Sequence, residues 1–593
     1  ADALHEGDPI YGLIQGVGLS NDMGGNLLAP DSEGQIRAMA SAYESCGCSP
    51  HDIDLIECHG AGTPRGDLTE LQSLKKLCGY TGWVKNQCAI GSVKAMIGHL
   101  LTAAAAAGMI KTLLALHHKI LPPSLNFNAP PQPDPLINSP FHVQTHPEAW
   151  HRRNEDCPRR AAVSAFGFGG INAHLLIEEW DPNSEGAKLK AKGSVQSTKL
   201  GSSKIEVTGI ESPASSIQHR EDIAIIGMAT AFGSLTTLRD FQELIFNSKT
   251  NLKPRPAYRW KGCDQAASRE LENQSFIGGF CQDVSIASGE FHIPPKEIPD
   301  ILPQQLLMLK VAAAAMKDAG FALREERTDM GAVIGIDSDF EAANYQLRWR
   351  LSNVIDRWAQ KRQWDLQNDE KHTWLRSLQD AGISPLTASR TLGALGGIVA
   401  SRIAREFQFG SPSFGVSCEE ASGLKALDIG VNALQQNEAT AYLVGAVDLC
   451  GDLRNIILAH RARPFSQRQR IRPFDRSADG TLPGEGAAAL VIKRLDRAIA
   501  DGNRVYAVIK GIGSASGGGV DSPLPSKNAY VRSLKRCWRD AGNTPAPISL
   551  IETHGSGDPA EDDLESLALH EVFENQHSRC AIGSLKANIG HTG

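Results

Sequence analysis

Two histidines, His59 and His99, lie in short motifs that occur a second time in the chain. CHGAGT around His59 is matched by THGSGD around His554, and SVKAMIGH ending at His99 is matched by SLKANIGH ending at His591. An imidazole can donate hydrogen bonds or exchange a proton near neutral pH. Because each histidine recurs together with its flanking residues, we interpret both pairs as site residues rather than isolated structural histidines.

A possible nucleophile lies in the stretch FGVSCEEASGLKAL (414–427), where Cys418 comes just before a helix-forming run. The N-terminus of a helix lowers the pKa of a thiol, and the resulting thiolate is a strong nucleophile. The stretch therefore raises the question of whether Cys418 or a neighbouring residue holds the nucleophile's position.

These motifs belong to a long internal repeat. IDLIECHGAGTPRGDLTELQSL (53–74) recurs as ISLIETHGSGDPAEDDLESLAL (548–569), and CAIGSVKAMIGH (88–99) recurs as CAIGSLKANIGH (580–591). The offset is 495 residues at His59 and 492 at Lys94. We expect two tandem copies of one large unit, each truncated by the ends of the chain, and interpret the chain as an internal fragment of a larger multidomain protein.

The domain boundaries follow from a change in composition. Residues 181–220 are rich in Ser, Lys and Gly and lack apolar periodicity, which is typical of a linker. Apolar strand patterns such as AYLVGAVDL (441–449) alternate with helix-length patterns such as QQLLMLKVAAAAMKDAG (304–320). We predict an α/β class with domains at 1–180 and 221–593, the second truncated at its C-terminus.

Four motifs in a fixed order resemble those of the ketoacyl synthases of fatty acid and polyketide assembly. They are the HGxGTxxGD segment (His59–Asp67), SVKAxIGH (Ser92–His99), AFGFGGINAH (Ala165–His174) and RPFDRSADGTLPGEG (Arg472–Gly486). The resemblance implies a thiolase-like fold, in which two related α/β halves form αβαβα layers. The N-terminal half would carry the nucleophilic cysteine and the C-terminal half two histidines.

The resemblance also implies roles for residues of both copies. His59 and His99 would face the thioester oxygen of a malonyl extender while carbon dioxide leaves, with Lys94 supporting the site. The second copy retains the counterparts of all three: His554, Lys586 and His591. We expect the cysteine that completes the first copy to lie before residue 1, so that the fragment alone is inactive.

Substrate-binding residues are implied by the same resemblance. Thr63 matches a position near a phosphopantetheine arm, whereas the second copy has Asp558 there, a charge that should disfavour the arm. Phe168 matches a gating position beside the acyl pocket, next to Gly169 and Gly170. The glycines also suit a tight packing turn. We predict substrates carried on the phosphopantetheine of an acyl carrier protein, with no directly bound cofactor and no metal.

The register of the opening stretch places Glu420, not Cys418, at the nucleophile's position. The family motif VDTACSSSLVAL aligns its leucine with Leu424, and Cys418 then falls two residues early. A two-residue shift would turn the helix by about 200° and disturb its apolar face. Three interpretations of Glu420 remain open: a carboxylate favoured by the helix dipole, the mark of a non-condensing chain-length factor, or a malonyl decarboxylase.

A competent-looking copy joined to a copy without a nucleophile resembles the ketosynthase and chain-length-factor subunit of bacterial polyunsaturated fatty acid synthases. Heterocyst-type glycolipid synthases and the separate proteins of aromatic polyketide systems are also similar. This resemblance implies decarboxylative Claisen condensation, a pseudo-dimer of the two copies and other synthase domains as partners. The alternative is a purely structural pair that serves as a scaffold.

Composition sets the remaining expectations. The 593 residues are 41% hydrophobic and 21% charged, which is typical of a globular protein. The net charge of −7 gives no reason to expect a nucleic-acid partner. Twelve irregularly spaced cysteines fit a reducing, cytoplasmic setting, and the longest apolar run (100–110) is too short to span a membrane. We interpret the basic tract 461–476 as a solvated face or a docking patch for an acidic carrier protein.

Overall fold

The computed structural model describes most of the chain. The residues described are 2–24, 27–130, 134–155, 157–181, 221–271, 276–337, 344–364, 367–449, 451–518, 525–542, 548–574 and 579–592. The predicted linker, from residue 182 onward, lies outside them. The chain divides into two compact units, the first comprising 1–220 with 408–413 and the second comprising 221–407 with 414–593.

The first unit is built on a mixed six-stranded sheet with the order β1-β8-β7-β2-β3-β5. Strands β7, β2, β3 and β5 run parallel, whereas β8 is antiparallel to both β7 and β1. The strands are β1 (Leu13–Asn21), β2 (Leu55–Glu57), β3 (Cys88–Gly91), β4 (Ile120–Leu121), β5 (Phe141–Val143), β6 (Glu148–Ala149), β7 (Arg160–Gly167) and β8 (Ile171–Glu178).

Helices connect these strands and cover the sheet. They are α1 (Asp2–Glu6), α2 (Ser32–Cys46), α3 (Pro64–Cys78), α4 (Lys94–Ile97) and α5 (Ala104–His118). The apolar faces of α2 and α3 pack on the sheet through a core that includes Met39, Tyr43, Leu74, Ile56 and Phe141. This packing fixes the ends of β2 and β3, and the segments that carry His59, Lys94 and His99 follow these two strands.

The second unit has its own six-stranded sheet with the order β13-β12-β14-β15-β9-β16. Strands β12 and β14 are parallel, and β15 is antiparallel to β14 and β9. The strands are β9 (Ile223–Phe232), β10 (Lys253–Pro254), β11 (Ile277–Gly278), β12 (Met330–Ile336), β13 (Ser413–Val416), β14 (Ala441–Asp448), β15 (Gly486–Arg494), β16 (Ala507–Ile509), β17 (Leu550–Glu552) and β18 (Ala581–Gly583).

One long helix of this unit is buried on almost every side. The helices are α6 (Leu238–Phe246), α7 (Asp264–Glu270), α8 (Pro303–Asp318), α9 (Asn344–Arg362), α10 (Asn368–Gly382), α11 (Ala388–Ala394), α12 (Ile398–Glu406), α13 (Ser422–Gln435), α14 (Leu453–Ala462), α15 (Leu495–Ala500), α16 (Lys527–Asp540), α17 (Pro559–Phe573) and α18 (Lys586–Ile589). Helix α8 packs on the sheet closely enough that a Cβ on Gly227 would lie 2.7 Å from the Ala315 carbonyl oxygen. A helix that is apolar all round belongs in a core.

The sequence repeat is also a structural repeat. Strands β2 and β3 pair in parallel with Ile56 opposite Ile90, and β17 and β18 pair in parallel with Ile551 opposite Ile582. In both copies a 15-residue helix, α3 or α17, connects the first strand of the pair to the second along the chain. The predicted α/β class is therefore confirmed in both units. No helix among the described residues has the length and hydropathy needed to cross a bilayer.

Candidate active site

His59 lies in the loop that follows β2. Its backbone N–H and that of Gly60 donate to the two oxygens of Glu70 on α3, at 2.7 and 2.8 Å. Gly60 has a φ of 45°, and a Cβ there would lie 2.8 Å from the Cβ of Ser92. Since a side chain at this position would collide with its neighbour, glycine is required where the loop turns toward α3.

The structure brings His59, His99 and Lys94 together, as the sequence predicts. The ring centroids of His59 and His99 are 5.5 Å apart, with the rings inclined at 74°. The Lys94 ammonium, at the start of α4, donates a hydrogen bond to the backbone carbonyl of His59. Lys94 thereby ties the loop after β2 to the loop after β3, and the two histidines are held as a pair.

Hydrogen bonds fix the tautomers of both rings. The Nδ1 of His59 accepts from the backbone N–H of Phe166 at 3.2 Å, and the Nδ1 of His99 accepts from that of Leu101 at 3.0 Å. An imidazole whose Nδ1 accepts a hydrogen bond carries its proton on Nε2. Both rings therefore present an Nε2–H donor.

Both imidazoles are uncharged at neutral pH. Burial, Lys94 and His99 lower the pKa of His59 to about 4. Burial and the Lys94 charge likewise hold the pKa of His99 below its usual value. A pair of neutral donors can stabilise a negative oxygen without first losing a proton.

Glu70 is a positioning residue that the sequence analysis missed. It is fully buried, and burial raises the pKa of its carboxyl to about 7 against the hydrogen bonds from Gly60 and His59. The repeat carries the signal that would have found it, because a glutamate follows the motif histidine by 11 residues in both copies, at Glu70 and Glu565.

Replacement of Glu70 by glutamine tests this burial through pH-dependent stability. The folded-state pKa is above the unfolded value, so the contribution of Glu70 is full below pH 4.5 and is lost as the pH rises to about 7. We expect the free energy of unfolding of the natural chain, relative to Glu70→Gln, to fall by about 3 kcal/mol across that interval. Urea denaturation of both proteins at pH 4.5 and at about pH 7 measures the two free energies of unfolding. If their difference were the same at both pH values, the prediction would be contradicted.

The predicted gating residue, Phe168, lies in the turn between β7 and β8, just beyond a β7 residue that contacts His59. The Phe166 ring centroid lies 5.7 Å from that of His59, and Phe168, two residues further, is 55% exposed. Gly169 and Gly170 have φ values of 87° and 80°. A Cβ on Gly170 would lie 2.5 Å from the Cβ of Asp22, so this glycine also serves a close approach.

Thr63, the predicted contact for a phosphopantetheine arm, has a structural role in the fold. Its hydroxyl caps α3 by accepting from the Gly66 N–H at 3.2 Å. Asp558, its counterpart, caps α17 by accepting from the N–H groups of Ala560 and Glu561. Both residue types are good helix caps, so the exchange preserves the helix start while it adds a charge.

The second copy reproduces the histidine pair. The ring centroids of His554 and His591 are 5.5 Å apart and the rings are inclined at 76°. The Lys586 ammonium donates to the His554 carbonyl at 2.8 Å, as Lys94 does in the first copy. Glu565 accepts from the N–H groups of His554 and Gly555 at 2.9 Å each.

Glu420 lies against this second pair. Its Oε2 is 3.7 Å from the Nε2 of His554, and its Oε1 is 3.6 Å from the Nε2 of His591. Helix α13 begins at Ser422 with Ala421 as its N-cap, so Glu420 precedes the helix rather than occupying its first turn. Glu420 therefore comes just before the first helical turn and not within it, and the charged side chains nearest to it belong to other elements.

Arg463 completes the cluster around Glu420. Its guanidinium pairs with Glu420 and lies 2.6 Å from the Oε1 of Glu561, which also accepts from the Ser556 hydroxyl through Oε2. The sequence pattern predicts a solvated or docking tract at 461–476, which includes Arg463. The structure corrects this for Arg463, whose head group binds two carboxylates inside the second unit.

The charges of the cluster follow from these contacts. Burial opposes ionisation of Glu420, but His591 and Arg463 outweigh it and hold the pKa of Glu420 below its usual value. Burial lowers the pKa of His591 to about 3, so the permanent charge of Arg463 dominates at neutral pH. For Glu561, burial alone would raise the pKa. The hydrogen bonds from His554 and Ser556 and the charge of Arg463 outweigh burial and lower the pKa of Glu561 to about 2.

Two cavities of the second unit meet at Glu420. The first, of about 360 Å³, is lined mainly by apolar residues that include Leu424, Leu427 and Val444. The second, of about 400 Å³, is bordered by Arg463 and His591. An apolar space beside a few polar groups is typical of a pocket for an extended apolar ligand.

Two family models match the chain. The model of the beta-ketoacyl synthase N-terminal domain matches residues 220–498, and that of the C-terminal domain matches residues 11–128 and 506–593. The C-terminal model thus occurs twice, which agrees with the repeat.

Two similar proteins match the whole chain, and a third matches part of it. The chain is 28% identical over 607 residues to a polyunsaturated fatty acid synthase component of a Thraustochytrium species, covering 100% of this chain and 27% of that protein. The solved PfaC keto synthase-chain length factor superposes with a TM-score of 0.79 at 30% identity, covering 100% of this chain and 58% of that one. A ketosynthase of the bacillaene synthase of Bacillus subtilis matches 63% of this chain at 25% identity with a TM-score of 0.51.

Proposed function

Because the chain belongs to the beta-ketoacyl synthase family, we propose that it takes part in decarboxylative Claisen condensation of carrier-bound acyl and malonyl thioesters. One observation carries the proposal: His59 and His99 form a neutral pair that presents two Nε2–H donors. Such a pair is suited to hold the oxygen of a thioester as it becomes an enolate.

The roles in the first copy follow from this geometry. The malonyl thioester carbonyl accepts hydrogen bonds from the Nε2–H groups of His59 and His99, and the two donors stabilise the enolate oxygen as carbon dioxide leaves. The enolate carbon then attacks an acyl group held as a thioester on a cysteine, and the cysteine thiolate departs. Lys94 and Glu70 keep the His59 loop in place throughout.

The second copy acts as a chain-length factor. The sequence register assigns Glu420 to the position of the family's nucleophile, and a carboxylate cannot hold an acyl chain as a thioester. The apolar cavity beside Leu424 and Leu427 then serves as space for the growing chain rather than as a condensing site. The similar PfaC protein is a keto synthase-chain length factor, and this pairing supports the assignment.

The alternatives are less well supported. A malonyl decarboxylase at Glu420 would bring the malonyl carboxylate against the Glu420 carboxylate, and like charges repel. A scaffold without chemistry leaves the matched histidine pair of the first copy unexplained.

The proposed substrates come on the phosphopantetheine arm of an acyl carrier protein. Thr63, beside the His59 loop, is the proposed contact for that arm, and the turn at Phe168 is the proposed gate to the acyl chain. Other synthase domains are the expected partners, since the Thraustochytrium synthase component is several times longer than this chain. The pseudo-dimer of the two copies and the position of the first-copy cysteine stay predictions.

Acyl transfer to the purified 593-residue chain tests the assignment of the second copy. We expect that incubation with an acyl carrier thioester leaves the peptide containing Cys418 unmodified, as shown by intact mass and peptide mapping. Iodoacetamide serves as the control, because the exposed Cys418 should react with it. An acyl group on Cys418 would show that the second copy can be acylated and that Glu420 does not hold the nucleophile's position.

A further inference from the structure

The second-copy cluster has the composition of a metal site. One carboxylate and two imidazoles, from Glu420, His554 and His591, place their ligand atoms within 4.8 Å of one another. Two histidines and one carboxylate form a ligand set that binds zinc and other divalent transition metals in proteins. We propose that these three residues bind a divalent transition-metal ion of the zinc class, independently of whether the chain takes part in condensation.

The separations between the ligand atoms support an ion rather than direct hydrogen bonds. Glu420 Oε1 lies 3.6 Å from His591 Nε2, and Glu420 Oε2 lies 3.7 Å from His554 Nε2; both distances are too long for good hydrogen bonds. Ligands about 2.1 Å from a tetrahedral zinc ion lie about 3.4 Å from one another. The distance from each Glu420 oxygen to the histidine that it faces is therefore close to the distance between two ligands of one ion.

His591 supplies an independent observation. Its side chain is 8% exposed, and its Nε2 has no hydrogen-bond partner among the residues that the structure describes. A buried imidazole nitrogen without a partner is costly, and a metal ion would satisfy it. The unpartnered nitrogen faces Glu420, the carboxylate of the proposed site.

Arg463 and Glu561 form the second layer of this site. Arg463 contacts the Oε1 atoms of both Glu420 and Glu561. The Oε2 atoms of Glu420 and Glu561 lie 3.7 and 3.4 Å from His554 Nε2, and that of Glu561 also accepts from the Ser556 hydroxyl. Outer partners that orient ligating carboxylates are a regular feature of metal sites. Two carboxylates and one guanidinium carry a net charge of −1, which favours a dication.

The first copy provides a matched comparison inside the same chain. His59 and His99 have nearly the same ring geometry, but each Nδ1 there is already bonded to a backbone N–H, and no carboxylate ligand joins them among the described residues. The proposed ion thus belongs to the second copy alone, where Glu420 supplies the third ligand.

Zinc retention by the full chain tests the proposal. The chain is stripped with a chelator, loaded with zinc and freed of excess, and its zinc is then counted by elemental mass spectrometry. We expect one zinc per chain, and binding weakened by at least about 100-fold in both Glu420→Gln and His591→Gln, because each removes a ligand. His99→Gln is the matched control and should keep the full zinc content.

Loading the unmodified chain with Co²⁺ keeps the test decisive if a variant fails to fold. Visible d–d absorption of tetrahedral intensity, removed by added zinc, would support the site. Absence of that absorption, no zinc retained by the unmodified chain, or equal zinc retained by folded Glu420→Gln would each overturn it. Acylation of Cys418 bears on the proposed function and is read separately, so the two ideas fail independently.

Discussion

Replacing His59 or His99 with alanine, in protein expressed from its complete gene, should lower the rate of condensation by about 10² to 10³-fold. In the proposed mechanism, each substitution removes one of the two Nε2–H donors that face the developing enolate oxygen. Because both rings are neutral and fixed by backbone hydrogen bonds, their loss acts on the transition state more than on substrate binding.

The measurement is the release of carbon dioxide and of elongated product from malonyl carrier protein. His591→Ala is the matched control, since it removes the same ring from the second copy, and it should reduce the rate far less. Equal losses of condensation rate in His591→Ala and His99→Ala would contradict the assignment of condensation to the first copy alone.

The residue types of the site could be predicted because they sit in motifs that repeat. His59, His99 and Lys94 were identified from their flanks, and the structure places them within one site. The α/β, thiolase-like class was also predictable, and the similarity to the PfaC structure over the whole chain confirms it. The motifs around His59 and His99 carry this information because each follows a strand, β2 or β3, whose end is fixed by the sheet.

The contacts that could not be predicted join residues that are far apart in the sequence. Arg463 is 43 residues from Glu420 and 98 from Glu561, and only the fold shows that it binds both. The tautomers of His59 and His99 were hidden for the same reason, since the N–H groups that fix them belong to Phe166 and Leu101. Glu70 was visible in the repeat, but its role required the geometry of the loop.

Replacing Leu424 with tryptophan should shorten the product by about one two-carbon extension or more, without stopping condensation. Leu424 lies on α13 two residues after its start, is 70% exposed and lines the apolar cavity beside Glu420. A larger ring fills part of that space, so the growing chain meets its end sooner. An exposed position tolerates the change at a cost of about 0.5 kcal/mol or less.

Leu567→Trp is the matched control, because Leu567 is 59% exposed on α17 and is not among the residues that line the two cavities described above. Products of both variants are compared with those of the natural protein by mass spectrometry of the released acyl chains. A scaffold predicts unchanged length in both, whereas a chain-length factor predicts shortening in Leu424→Trp alone. Because the apolar cavity belongs to the copy whose nucleophile position holds a carboxylate, shortening there would assign the control of length to a unit that performs no condensation.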